Sequence, residues 1–431
     1  MEPGEAFTCP RVKAFATPLS RLDQHRSLRY APPTMSKLTR RRFLRSGAYG
    51  ASSLLILPSG SARTYKANEK VDVAFIGVGG VAKGNRTRIS KLSDDANIVA
   101  LCDVDSKNLA EALAKHPGAE GHKDYRKMLG EQKGIDAVIV STPDHTHFPA
   151  SILAMQHGKG VATEKPMAHT IWEARQLAIA AEKYGVATQM DNEHHAKEAL
   201  RLQVEWIRSG AVGEVREVHI FTNRPVWPQA VGRPAGEDPV PDHLNWDSWI
   251  GPAPMRPYKE GVYHSFKWRG WVDFGTGALG DMACHTTNLP VMALHLFDPI
   301  AITALKNPGL YENETFPSSS HLKFEFPERE GMVPCDLHWY DVGELPPEEL
   351  TSRLPASYRD RIAEQRKGGK KNSGMLAVGT DGMLFSANDY GAKYFLLPED
   401  DFSDYEKPEQ TLPRIPFNGS GDQRQKWEFV N

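Results

Sequence analysis

The sequence predicts an α/β chain, with a parallel, nucleotide-type sheet over residues 68–190 followed by an α+β half over 191–431 with an open, mostly antiparallel sheet. Three observations carry this. Apolar runs alternate with helix-length segments from Val71 to Met190, the pattern of consecutive βαβ units. The first run is followed at once by a glycine-rich turn, Gly77-Val78-Gly79-Gly80. After Met190 the alternation gives way to period-2 segments separated by proline- and tryptophan-rich loops, as in strands with one buried face.

Before the first strand, residues 1–62 read as a leader. Thr39-Arg40-Arg41-Arg42-Phe43-Leu44-Arg45 is similar to a twin-arginine export signal, and an apolar stretch at 51–57 and the small residues Gly60-Ser61-Ala62 follow in the order a signal peptidase needs. The stretch is shorter than the ~20 residues a membrane-spanning helix requires. A basic tail with a chance apolar patch is the plainer alternative. Met35 offers a second start.

At 431 residues the chain can bury two cores. Its net charge of −2 gives no electrostatic reason to bind nucleic acid or an anionic membrane. Four cysteines without C-x-x-C spacing exclude a disulfide framework and a cysteine zinc site. No metal is expected either. Asp144, His145 and His147 follow one strand and Glu193, His194 and His195 another, with no H-x-x-x-H helix to join them.

Val71–Ile76 reads as a buried parallel strand. The turn after it matches G-x-G-x-x-A: Gly77 permits a tight turn, Gly79 lets backbone approach a pyrophosphate, and Ala82 is small enough for close helix–strand packing. This is a Rossmann dinucleotide-binding fingerprint, with the next helix aiming its N-terminus at phosphate. A second strand, Asn97–Cys102, ends at Asp103, about 20 residues on, where a ribose-binding acid belongs. An acid there favours NAD over NADP, while NADP stays open. Asp103 could instead cap the helix from Ser106, and Asp105 competes for the ribose role.

A third strand, Ile135–Val140, leads into Ser141-Thr142-Pro143-Asp144-His145-Thr146-His147. Then come a helix Ala150–His157, a strand Gly160–Thr163 ending in Glu164-Lys165-Pro166, a helix Ile171–Tyr184 and a strand Val186–Met190. In such sheets ligands sit beyond the carboxyl ends of the strands, so the Ser141–His147 loop faces the cofactor, and Lys165, at another strand end, can reach what a nicotinamide ring acts on.

In the second half, Lys197–Ser209 reads as a helix and Val215–Phe221, Ser320–Phe326, Cys335–Tyr340, Leu376–Gly379 and Met383–Ser386 as strands, the last two joined by a Thr380-Asp381-Gly382 turn. Asp281 and His285 are four apart, hence on one helix face. Histidine is a suitable base for a hydroxyl proton, although an isolated D-x-x-x-H is more often a helix acid and a core histidine. Trp246 and Trp249 are expected in the core, and His264 and Trp268 against substrate. The basic run Arg366–Lys371 reads as a solvated loop.

The glycine turn, Ser141–His147, Glu164-Lys165-Pro166 and Gly275–His285 together resemble the Gfo/Idh/MocA oxidoreductases, from about Val71 to near the C-terminus. The resemblance implies a nicotinamide enzyme acting on a sugar, polyol or glycoside hydroxyl. Lys165, Asp281 and His285 would be catalytic. Gly77, Val78, Gly79, Gly80, Val81, Asp103, Thr142, Pro143, His147, Glu164, Lys165 and Asn192 would hold the cofactor. His264, Trp268, Asp281 and His285 would hold the substrate. It also implies a homo-oligomer through the open face of the second sheet.

With the leader, the expectation is a periplasmic enzyme carried by the twin-arginine machinery. Its NAD would be taken up before export and held tightly. Two other readings stay open: an NAD-dependent glycosidase that oxidises its sugar transiently, and a non-catalytic sugar-binding protein. Two departures from the family stand out. Asp191 occupies a position where glycine is common, and relatives carry a further stretch after the segment at Trp427–Asn431 that packs back on the nucleotide domain.

Overall fold

The computed structural model describes residues 70–415 and 419–431. The expected export signal, residues 39–62, therefore falls outside the described residues. The described residues form one compact unit built on two sheets.

The first sheet has six parallel strands in the order β3-β2-β1-β4-β5-β6. They are β1 Val71–Ile76, β2 Ala96–Cys102, β3 Glu120–His122, β4 Ala137–Val140, β5 Gly160–Glu164 and β6 Thr188–Asp191. The helices between them are α1 Ala82–Ser90, α2 Ser106–Lys115, α3 Tyr125–Glu131, α4 Asp144–Gln156 and α5 Ile171–Tyr184. One apolar layer joins Ala74, Ile76, Val138 and Val140 to Met128, Ala154 and Leu177, and the other joins Val73, Phe75 and Ile139 to Ile89, Leu109 and Ala112. Side chains covered on both faces explain why these strands read as continuous apolar runs, each large one stabilising by about 1.5–3 kcal/mol. The strand order reverses between β1 and β4, which opens a crevice at their carboxyl ends. Gly77 sits there at φ +80°, and a Cβ on it would lie 2.7 Å from the Ser141 carbonyl oxygen, so this turn admits no other residue without moving.

The sequence pattern starts the fourth helix at Ala150, but it starts at Asp144 and contains Pro149. The proline forfeits the bond to the His145 carbonyl. The early start is anchored by Asp144, whose Oδ2 accepts the Thr276 hydroxyl at 2.8 Å. A proline normally read as a first helical residue thus sits in the second turn.

The second sheet has seven strands in the order β13-β12-β11-β7-β10-β9-β8. They are β7 Val215–Phe221, β8 Ala301–Lys306, β9 His321–Phe326, β10 Cys335–Tyr340, β11 Gly374–Gly379, β12 Met383–Ser386 and β13 Tyr394–Leu397. All pairings are antiparallel except β10 with β7. The two edge strands, β8 and β13, are absent from the sequence reading because neither alternates: β8 is exposed along nearly its whole length. Helices α6 Glu198–Arg208, α7 Trp246–Ile250, α8 Gly277–Thr286 and α9 Asn288–Leu294 follow the first sheet or connect the second. One face of the second sheet packs on α6 and α9 through Val218, Ile220, Leu337 and Trp339 against Val204, Ile207, Leu289 and Ala293.

The opposite face is not wholly open, which corrects the sequence reading. Helices α10 Glu348–Thr351 and α11 Ala356–Arg366 cover its β7, β11 and β12 portion through Leu350, Leu354 and Ile362 on Phe221, Leu376 and Phe385. The remaining portion is polar: Lys323, Glu325, Asp336 and His338 are half-buried there, and the His338 ring stacks on the buried His219 at 4.9 Å. Finally, α12 Gly421–Val430 leaves the second half and packs on α1 and β6. Val430 joins the Ile89 and Leu92 layer, and Gln423 Nε2 donates to the Arg88 carbonyl at 2.9 Å.

Candidate functional site

A cleft of about 470 Å³ lies beyond the carboxyl ends of β1, β2 and β4. The first sheet contributes Gly77, Gly79, Gly80, Val81, Asp103, Thr142 and Pro143, and the second half contributes Trp249, His264, Trp268 and Arg269. Asp103 ties the turn together: Oδ2 accepts the Val78 N–H and Oδ1 the Asp105 N–H, both at 2.8 Å. Each oxygen keeps a lone pair for a ribose hydroxyl. Burial pushes the Asp103 carboxyl up, and those backbone donors oppose the shift. The helix-capping role weighed for Asp103 belongs to Asp105, whose side chain accepts from Lys107 and Asn108 N–H. Lys123, beside Asp103 in the cleft wall, escaped the sequence reading because an exposed lysine after a three-residue strand carries no pattern.

At the other end of the cleft, Arg269 passes to the groups around Lys165. Lys165 Nζ donates to Asp281 Oδ1 at 2.8 Å and to the Asp281 carbonyl at 2.9 Å, and Arg269 Nε donates to the same Oδ1 at 3.2 Å. Burial opposes the Lys165 charge, yet Asp281 outweighs it and raises the ammonium's pKa above the ordinary lysine value. Burial alone would raise the Asp281 carboxyl, but Lys165 and then Arg269 bring it below the ordinary carboxylate range. Asp281 thus fixes the ammonium in place, which is the requirement for a hydrogen-bond donor aimed at one substrate oxygen.

One helical turn along α8, His285 packs against His194 (ring centroids 5.1 Å apart) and Tyr390 (5.2 Å). Burial, then the Lys165 ammonium and His194, hold its pKa well below the ordinary imidazole range. It is therefore neutral, and its buried Nδ1 has no hydrogen-bond partner. The neutral form of a base persists above its pKa, and a depressed pKa moves the loss of that form to lower pH. The acidic limb of kcat/KM should accordingly lie below pH 6.5, the ordinary histidine value. A rate–pH profile with its limb at or above that value would show that His285 is not the base.

Several residues expected at the cofactor stand behind the cleft instead. His147 is almost fully buried, with Nδ1 on the Pro166 carbonyl and Nε2 on the Thr142 carbonyl, both at 2.7 Å. It braces the Thr142 loop against the Lys165 loop. Glu164 faces inward and accepts from Asn85 Nδ2 at 2.8 Å, beside Asp191 and Lys426. Asn192 spends its amide N–H on the Cys284 carbonyl. Trp268 is buried among Tyr263, Trp271 and Phe274, with only an edge on the cleft. His264 lines the cleft, with its Nε2 3.6 Å from Asp105 Oδ2 on the nucleotide side. These residues carry the right chemistry, but their orientation depends on partners remote in sequence. Trp246 and Trp249 are in the core, stacked 4.8 Å apart as expected.

Among the described residues, ligand atoms of Glu193, His194 and Asp422 come within 4.8 Å of one another. Arg88 reaches Glu193 at 3.4 Å and Asp422 at 2.8 Å, so a guanidinium already balances these acids. The residues do fit a dinucleotide. The first turn of α1 has no acid, and Thr142 Oγ1, in the cleft wall, lacks a protein partner, as does His285 Nδ1 near Lys165.

Comparisons with known proteins agree with this geometry. A family model described as the NAD-binding Rossmann fold of an oxidoreductase family, GFO_IDH_MocA, matches residues 71–192, and its C-terminal alpha/beta domain matches residues 215–298. A glycosyl hydrolase family 109 protein from Shewanella pealeana is 30% identical over 208 residues, covering 42% of this chain and 44% of the relative. An inositol 2-dehydrogenase from Rubrobacter xylanophilus is 29% identical over 154 residues, covering 34% and 42%. The matches thus span less than half the length of these curated relatives. The WlbA dehydrogenase from Bordetella pertussis, solved with NADH and UDP-GlcNAcA, superposes with a TM-score of 0.53 at 17% identity, covering 75% of this chain and 82% of that one. At that identity the likeness concerns the fold.

Proposed function

We propose, from the premise that residues 71–192 and 215–298 belong to the Gfo/Idh/MocA oxidoreductase family, that this protein is an exported oxidoreductase. It exchanges hydride between a nicotinamide cofactor and a sugar, polyol or glycoside hydroxyl. The observation that carries the reading is the Lys165–Asp281–Arg269 cluster with a neutral His285 one turn away, at the end of a dinucleotide cleft.

Bound NAD supplies the hydride acceptor. Lys165, held by Asp281, donates a hydrogen bond to the reacting oxygen and stabilises negative charge as its proton leaves. His285 takes that proton. The carbon–hydrogen bond breaks, the carbonyl forms, and the reverse direction returns the proton from His285. Lys165 and then Arg269 keep Asp281 ionised, so Asp281 does not compete for the proton.

The Shewanella relative's name favours a second reading, a glycosidase that oxidises its sugar, releases the aglycone and re-reduces the ring. Export through the twin-arginine pathway to the periplasm rests on residues 39–62, and a tightly held cofactor follows from it. A homo-oligomer through the second sheet is supported by the polar, half-buried portion of its face and by the exposed Ile302 and Leu305 at the β8 edge.

Mixing the protein as purified with a panel of sugars, while following the reduced-nicotinamide absorbance band, tests the assignment. A substrate-dependent rise is expected. Aglycone release from chromogenic glycosides without net cofactor change would select the glycosidase. Neither signal from NAD-loaded protein would remove both enzymatic readings.

A further inference from the structure

A second cavity, of about 200 Å³, is lined by Tyr390, whose ring lies 5.2 Å from that of His285. Its size falls below the ~300–1,000 Å³ of a complete small-molecule pocket, so it suits one end of a ligand whose remainder lies elsewhere. Tyr390 links the two places: it lines this cavity and packs on both His285 and His194.

The cavity's chemistry is specific. Arg361, from α11, and Lys370 and Lys371, from the loop after it, line one wall. Among the described residues none of the three is paired with a carboxylate. Three unpaired cations around one concavity make a field that attracts anions. Asp389, 6% exposed, also lines the cavity; its Oδ2 lies 4.0 Å from the Arg224 guanidinium, and its Oδ1 has no hydrogen-bond partner. An unpartnered buried carboxylate oxygen points to a missing donor, and a sugar hydroxyl supplies one. The basic run that reads as a solvated loop in sequence is therefore brought against a polar cavity. This wall comes from residues 356–371, outside both segments matched by the family models.

We propose that this cavity is a subsite for an oxyanion group, a carboxylate or a sulfate, carried by the saccharide whose reacting carbon lies beside His285. The substrate class is then an acidic glycoside that spans Tyr390. Its anionic end rests on Arg361, Lys370 and Lys371, and a neighbouring hydroxyl donates to Asp389. The assignment rests on the oxidoreductase reading for the identity of the other end, but it can be tested by binding alone.

Calorimetric titration of the NAD-loaded, full-length protein with methyl glucoside, methyl glucuronide and the glucoside 6-sulfate measures the preference, with inorganic sulfate as a fourth titrant. An acidic sugar should bind about tenfold or more tightly than the neutral one, the scale of one charge-assisted hydrogen bond. Which acid gains identifies carboxylate or sulfate. In K370A/K371A, whose side chains are exposed, that preference should fall to about threefold or less, with the melting temperature held. Equal affinity for neutral and acidic sugars, no binding of any sugar, or a preference that survives the double substitution would overturn the subsite. Inorganic sulfate binding as tightly as the acidic sugars would overturn its saccharide assignment. A preserved preference without any cofactor turnover would remove the oxidoreductase reading and leave the subsite standing.

Discussion

Replacing Lys165 by alanine is expected to lower turnover by about 10²–10⁴-fold, and His285→Ala by a similar factor, with NAD still bound. The physical causes differ. Lys165→Ala removes the donor held at 2.8 Å from Asp281 and 2.9 Å from the Asp281 carbonyl, so the reacting oxygen loses its oriented cation. Asp281 keeps Arg269 at 3.2 Å, which keeps the site folded around an ionised carboxylate. His285→Ala removes a neutral base whose free Nδ1 faces no protein partner. Nucleotide affinity should change little, because the turn, Asp103 and Thr142 lie in a separate part of the cleft. Single-turnover measurement of the reduced-nicotinamide band, with nucleotide occupancy determined in parallel, separates the two quantities. Turnover within a factor of about three of wild type in both variants would show that the chemistry is carried elsewhere.

Lys426→Met should destabilise the fold by about 3–5 kcal/mol, the cost of breaking a buried ion pair by removing one partner. Lys426 is fully buried on α12 and pairs with Asp191, itself 3% exposed. Glu164 lies beside them, and burial together with Asp191 pushes its carboxyl upward while Lys426 pulls it down. Without the ammonium, two neighbouring carboxylates face each other in a dry site directly behind Lys165. Pairing the substitution with Asp191→Asn removes one of those charges and should recover a large part of the loss. Urea unfolding of the two single variants and the double forms the cycle that isolates the coupling. A Lys426→Met protein within 1 kcal/mol of wild type would mean that water or a different cation neutralises the pair.

That pair also accounts for Asp191, which stands where the resemblance leads one to expect glycine. In sequence it suggests an altered loop near the nicotinamide. In the fold its carboxylate turns inward to Lys426 and Asn85. The compensating residue comes from α12, and no local pattern connects Met190-Asp191 to Lys426.

The placements of the glycine turn, of Asp103 at a strand end and of Asp281 and His285 on one helix face were legible because each depends on short-range rules, whereas the catalytic roles of Lys165, Asp281 and His285 rest on the family resemblance and are proposals. Gly77 is needed where backbone meets backbone, Asp103 follows a strand end, and Asp281 and His285 share a helix face by their spacing. Less of the rest could be read. Strands β8 and β13 lack alternation because they sit at sheet edges. His147 has the composition of a ligand-binding residue and spends it on protein groups.

By itself, then, the sequence determined the parallel sheet, the nucleotide turn and the identity of the groups that can move a proton. Burial periodicity, backbone sterics and helix spacing act over a few residues, and these features need nothing more. Only the tertiary structure decided which of those groups are charged, which meet, and which face solvent. Lys165 meets Asp281 across 116 residues of chain, His285 is made neutral by burial and by that same lysine, and Lys371 is carried to a cavity wall by a helix pair packed on the sheet. Desolvation and Coulomb interaction depend on distance in space, and distance in space is set by the packing of whole elements.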